Sequence, residues 1–176
     1  MSEGRRLEPK HPSDSQVEMT ELMLPNDANT LGNVLGGKVL HLVDIAAALA
    51  AHRHCRRQVV TASMDRVDFH HPVKIGQVMT LRASVNFVSR TSMEVGVKVL
   101  AENLMTGETR HTASAYATFV ALDDLGHPTP VPPLEPVTDD DRRRMEEGQA
   151  RRELRMAEIR RKKDRQSGSG RTESAR

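Results

Sequence analysis

Asp44 stands inside the run VLHLVDIAAALAA, and a carboxylate set among apolar helical positions must be paired, protonated or put to use. The structural alternative is that it caps a neighbour or meets a basic partner. Gly36 and Gly37 open the same helical pattern, where unsatisfied backbone N–H groups can stabilise an oxyanion. A donor site and a carboxylate therefore lie about two helical turns apart. Asn29, in the loop before those glycines, offers an amide that can donate to a carbonyl or orient a water, or can close an Asx turn instead. His41, His52 and His54 lie on or near the helix, but no cysteine or carboxylate set beside them has ligand spacing, so no metal is expected. His70 and His71 precede Pro72 and read as the shaping of a strand end. Cys55 lacks a base partner and reads as a packed thiol.

These groups have to be positioned by a loop, a helix and the strands around them. A short strand over 17–24 runs into the turn cluster Pro25, Asn26, Asp27 and Asn29. From Val39 the apolar positions 39, 42, 43, 46, 47 and 50 keep helical spacing, with Leu40 and Leu49 off the stripe, so the helix is expected to be buried nearly all round. After Arg57 the period changes to two. QVVTASMDRVDF is followed by Met79, Leu81, Ala83, Val85 and Phe87, then Met93, Val95, Val97 and Val99, then His111, Ala113, Ala115, Ala117 and Phe119. The pattern predicts an α+β architecture, an antiparallel sheet wrapped round a long central helix, whose exposed edges invite pairing between subunits.

PTPVPPLEP closes this unit. Thr138 and Asp139 to Asp141 then provide an N-cap and acidic first turn for a charged helix. The expected organisation is a flexible arm over 1–15, one domain over 16–137, the charged helix over 138–165 and a disordered tail over 166–176.

Composition narrows the function classes. From Thr138 onward there are 13 Lys/Arg against 9 Asp/Glu, whereas the residues before it carry 13 against 15, so the positive excess sits in the last helix and tail. Basic residues there alternate with acids, and with 3 Phe, 1 Tyr and no Trp there are few stacking platforms, which argues against nucleic acid. One cysteine cannot form an internal disulfide, no secretory signal is visible in MSEGRRLEPK, and the longest apolar run is too short to span a bilayer. A cytoplasmic protein without membrane attachment is expected.

The strings PNDANTLGNVLGGKVLHLVD, VVTASMDRVDFHHPVKIGQ, RTSMEV, YATFVALDDLGHP and VPPLEP resemble the acyl-CoA thioesterases of the hotdog superfamily, in particular the brain acyl-CoA hydrolase group and its bacterial single-domain relatives. The likeness runs from about Glu18 to about Arg165. Its most specific element is the array Asn29, Gly36, Gly37 and Asp44. The resemblance implies a hotdog fold and hydrolysis of fatty acyl-CoA, medium to long chains favoured, to a fatty acid and CoA. It implies Asp44 as general base or nucleophile, Asn29 supplied by the facing subunit, and Thr61 and Ser63 as groups assisting the water. It places Arg90, Thr91 and Ser92 against the CoA moiety, where a guanidinium and neighbouring donors suit phosphate. No cofactor is implied, since CoA belongs to substrate and product. Pairing into dimers and a hexamer built as a trimer of dimers is also implied. The competing reading within the same fold is an acyl-CoA-binding regulatory domain without turnover. Hotdog hydratases are disfavoured because they rely on a histidine where this chain has Asp44.

Overall fold

A computed structural model describes residues 7–169. Its elements in chain order are β1 (Val17–Leu22), α1 (Gly36–Cys55), β2 (Gln58–Phe69), β3 (Val78–Val88), β4 (Ser92–Glu102), β5 (Thr109–Leu122) and α2 (Asp139–Ser169). The strands form one antiparallel sheet in the order β1-β3-β4-β5-β2, so β1 and β2 are its edges. Every second residue of the three inner strands faces α1: Met79, Leu81 and Ala83 on β3, Met93, Val95 and Val97 on β4, Ala113, Ala115 and Ala117 on β5. All nine are buried, so the period-two reading holds at these positions, but not at His111, which is half-buried beyond a register shift at Val99/Leu100 and is bonded to Ser114. Alanines along β5 let helix and sheet approach closely, and Phe119 fills the space where β5 lies opposite Thr61.

Positions 39, 42, 43, 46, 47 and 50 of α1 are buried, as their spacing predicts. The helix is not enclosed all round, however. His41 and Leu49 are exposed, while Asp44, Ile45 and Ala48 between them are half-buried, a second stripe at helical spacing along one open flank. The helix ends at Arg56, whose left-handed backbone (φ 52°) returns its N–H to the His52 carbonyl at 2.8 Å.

Phe87 departs from the expected alternation. A bulge between Val85 and Phe87 turns its side chain to the outer face of the sheet, away from α1. There it meets α2, where Gly148 comes so close that an added Cβ would stand 2.8 Å from the Phe87 Cβ. Few apolar contacts hold α2, as its sequence suggests, since Leu154 and Ile159 stay exposed. Arginines attach it instead. The Arg151 guanidinium donates to both carboxylate oxygens of Glu94, which is 2% exposed, and lies 3.8 Å over the Tyr116 ring. The cap at its start is a reciprocal pair: Asp141 N–H donates to Thr138 Oγ1 at 3.1 Å, and Thr138 N–H to Asp141 Oδ2 at 2.9 Å. The helix continues to Ser169, past the residue 165 end expected from sequence, and the tail expected over 166–176 lies outside the described residues from 170 onward.

The flexible arm expected over 1–15 is corrected by the contacts of its second half. Lys10 N–H donates to the Pro133 carbonyl at 2.9 Å, its own carbonyl accepts from Glu135 N–H, and its Nζ donates to the His54 carbonyl at 2.6 Å at the end of α1. His54 Nε2 is bonded to the Pro132 carbonyl at 2.9 Å. Exposed polar composition does not reveal such backbone pairing, because the partners lie more than a hundred residues away.

His54 is fully buried and its Nδ1 has no partner among the described residues. Burial lowers its pKa, against the pull of the Pro132 carbonyl. The folded chain therefore keeps it neutral at pH values where the unfolded chain takes up a proton. This contribution is constant above the unfolded value of about 6.5 and is lost as pH falls below it. The melting temperature of the wild type is expected to fall more steeply from about pH 7 to 5 than that of His54→Gln, which can still donate to Pro132. Equal slopes would show that His54 plays no part.

Candidate active site

β2 runs back along α1, so its last residue, Phe69, lies by the helix N-terminus and Thr61 lies by the helix middle. The Thr61 hydroxyl donates to Asp44 Oδ1 at 2.8 Å. Among the described residues Asp44 is thus neither capping nor paired with a base. It sits on the open flank of α1, half-buried rather than enclosed as its apolar neighbours suggested. With Oδ1 bonded to Thr61, Oδ2 takes no part in that bond and is left to accept from a water.

Thr61 and Ser63 are two apart in a strand and should share a face. They do not. A bulge between them shifts the register, so that Thr61 lies opposite Phe119, facing α1, and Ser63 opposite Thr118, facing α2. The Ser63 hydroxyl donates to Asp65 Oδ1 at 2.6 Å. The expectation that Ser63 assists at Asp44 is therefore withdrawn, and Thr61 alone reaches the carboxylate.

At the helix N-terminus, Leu35 provides no side-chain cap, and its carbonyl accepts from Lys38 and Val39. The N–H groups of Gly36 and Gly37 precede that first bond. A Cβ on Gly37 would meet nothing within 4 Å, and one on Gly36 would stand 3.8 Å from Phe69 Cζ. Both glycines are exposed, and Gly36 lines a cavity of about 290 Å³ together with Val34, Val39, Phe69, His70 and Val73.

Asn29 belongs to the same end of the molecule. Its Oδ1 accepts from Leu31 N–H at 2.9 Å and Asn33 N–H at 3.1 Å, an Asx turn that fixes the loop. The two N–H donors of its Nδ2 take no part in those bonds. Of the alternatives raised by the sequence, the Asx turn is present, and it leaves the amide nitrogen out of its bonds. Asn29 lies in the loop that leads into the glycines, and Asp44 stands about 12 Å further along the helix than Gly36.

Arg90, Thr91 and Ser92 form the β3–β4 turn. Its backbone is anchored where Val131 N–H donates to the Arg90 carbonyl (3.1 Å) and Ala121 N–H to the Thr91 carbonyl (3.0 Å). The Arg90 side chain is exposed and has no acidic partner among the described residues. Ser92 lies opposite Val120, which lies opposite Val60, so the turn is two strand spacings, about 10 Å, from the strand that carries Thr61.

Cys55 is buried and burial pushes its thiol pKa up, which makes it a poor nucleophile. His52 Nδ1 is bonded to the Arg57 carbonyl at 2.8 Å, and His70 packs on His111 with ring centroids 4.9 Å apart. Among the described residues no three histidine, cysteine or acidic side chains stand close enough to hold a metal, and no helix is long and apolar enough to cross a membrane.

A long helix cradled on one face of an antiparallel sheet, with a carboxylate on its open flank and bare glycine N–H groups at its start, defines a hotdog domain of the thioesterase type. The chain belongs to the Thioesterase superfamily, whose family model matches residues 31–108. It is 44% identical over 128 residues to an acyl-CoA thioester hydrolase of Bacillus subtilis, covering 73% of this chain and 74% of that one. The crystal structure of an apo-hexameric acyl-CoA thioesterase superposes with a TM-score of 0.84 at 42% identity, covering 87% of this chain and 98% of that one. An acyl-CoA hydrolase from Staphylococcus aureus, solved in complex with butyryl-CoA, CoA and CoA disulfide, superposes with a TM-score of 0.81 at 35% identity, covering 90% and 95%. That enzyme has also been solved with alanine in place of an aspartate, an asparagine or a threonine.

Proposed function

We propose that this chain is an acyl-CoA thioester hydrolase in which Asp44 acts as general base on a water. The observation that carries the reading is the Thr61–Asp44 hydrogen bond on the open flank of α1, because it orients one carboxylate oxygen and leaves the other for the nucleophile. Water attacks the thioester carbonyl as Asp44 takes its proton. The resulting oxyanion is held by the N–H groups of Gly36 and Gly37 and by Asn29 Nδ2. The C–S bond then breaks, CoA leaves as thiolate, and the proton on Asp44 passes to it. This sequence requires no metal and no cofactor besides the CoA of the substrate. Alanine variants made at the same three residue types in the S. aureus relative support the choice of Asp44, Asn29 and Thr61.

Because Gly36, at the start of the helix, stands about 12 Å from Asp44 and Asn29 lies in the loop before it, one chain does not assemble the site. A second copy, related by a two-fold axis, brings the N-terminal end of its α1 to the Asp44 of the first. The surface for that pairing is the free β2 edge with exposed Val60, Met64 and Phe69, beside Leu49 on the open flank. Assembly of dimers into a hexamer is supported by the hexameric relative. Arg90, with Thr91 and Ser92, meets the CoA phosphates. A cytoplasmic setting fits the single, buried, unpaired Cys55.

The test is thiol release from acyl-CoAs of short to long chain by the wild type and Asp44→Asn. Release that vanishes in the variant is expected, and the panel reads the preferred acyl length. No release from any acyl-CoA by the wild type would replace hydrolysis by acyl-CoA binding without turnover.

A further inference from the structure

Asp65 takes no part in the chemistry above, yet its carboxylate is among the most heavily engaged in the chain. It accepts from Ser63 Oγ at 2.6 Å, from Thr118 Oγ1 at 2.7 Å and from Arg155 of α2, with only 11% of its side chain exposed. Arg155, 20% exposed, reaches across the outer face of the sheet to make this pair.

The location of that cluster gives it meaning. β2 has two register shifts, one between Thr61 and Ser63, the other between Met64 and Arg66, and Asp65 is the unpaired residue of the second. The first shift is what lets Thr61 face α1 while Ser63 faces α2. In a regular strand the two hydroxyls would share a face, and Thr61 could reach Asp44 only with Ser63 turned inward as well. Asp65 holds Ser63 and Thr118, a directly opposed pair, on the outer side of the bulge, and Arg155 holds Asp65. β2 is also an edge strand, paired on one side only, so its own ladder constrains the bulge less than it would in an inner strand.

We propose that Asp65, clamped by Arg155, is a positioning residue that fixes the β2 bulge and so aims the Thr61 hydroxyl at Asp44, which makes the charged helix α2 part of the catalytic apparatus. The inference rests on the reading of Asp44 and Thr61 given above. It ascribes to α2 a task other than packing. The helix touches the outer face of the sheet, and the reacting groups lie on the inner face, with the bulge connecting the two.

A double-mutant cycle over Thr61→Val and Asp65→Asn tests this, with kcat and KM measured for each protein. Asp65→Asn is expected to lower kcat on the order of tenfold, since small misplacements of a reacting group are costly, with KM for acyl-CoA unchanged. In the Thr61→Val background the same substitution is expected to do nothing further. Additive losses would overturn the proposal, because Asp65 would then act by another route. If Thr61→Val alone leaves kcat unchanged, the role given to Thr61 fails first and the proposal fails with it. Arg155→Met supplies the cycle again should Asp65→Asn not fold, and Arg155→Lys, which keeps a cation, is expected to recover most of the rate that Arg155→Met loses. Equal rates for those two variants would also sink the idea.

Discussion

Asp44→Ala is expected to slow thioester cleavage by about 10²- to 10⁴-fold, the usual contribution of a positioned proton acceptor, while the protein stays folded. The asymmetry follows from the surroundings of the carboxylate. Asp44 is half-buried and has one side-chain bond, to a threonine that is itself exposed and can turn to water when the partner is removed. Alanine is also the residue best suited to a helix interior. Loss of this solvent-exposed bond therefore costs on the order of 1 kcal/mol, partly offset by the gain in helix propensity. Single-turnover thiol release and a thermal melt on the same preparation separate the two effects. A variant that melts far below the wild type would assign Asp44 to structure. One that keeps its rate to within a few-fold would remove it from the chemistry.

Mixing two dead proteins is expected to revive activity. Asn29→Ala and Asp44→Ala chains each form dimers in which every site lacks one group. In a mixed dimer one site lacks both and the other has both, provided that Asn29 and Asp44 serve a site from different chains. Random exchange makes half of the dimers mixed, and each has one intact site of two, so activity returns to about a quarter of the wild-type level. If both residues served a site within one chain, every mixture would stay inactive. The outcome thus decides between a shared and a private site without a structure of the assembly.

The sequence carried most of the fold. Periodicity marked α1 and the alternating strands, because the buried face of each is filled by residues whose apolar character repeats with the backbone. It also marked Asp44, as a charge out of place in that repeat. What it could not carry was any feature that breaks the repeat without changing residue type. The bulges at Ala62 and Asn86 insert one residue into strands that still read as regular, and they alone separate Ser63 from Thr61 and turn Phe87 to the outer face. Pairings distant along the chain were equally hidden. Nothing local in the 138–165 segment says that Arg151 meets Glu94 or that Arg155 meets Asp65. Asp65 did offer a clue, as a charge within the strand SMDRVDF with a serine two residues before it, though its partner could not be inferred. The openness of one helix flank escaped the sequence because an apolar face that its own sheet leaves open has the same composition as one that the sheet covers.

The strand order also fixes when, during synthesis, a site can exist. β2 emerges second among the strands but pairs with β5, the last, while β3 and β4 form between them. A nascent chain that has reached residue 108 already contains Asn29, both glycines, Asp44 and Thr61, yet its β2 has no neighbour to pair with. Until Thr109–Leu122 has left the ribosome, α1 lacks part of its cover and Thr61 has no fixed place beside Asp44. That waiting interval exposes an apolar helix and an unpaired strand, so interruption of translation before β5 is expected to yield an aggregation-prone fragment that holds the side chains proposed for catalysis without their arrangement.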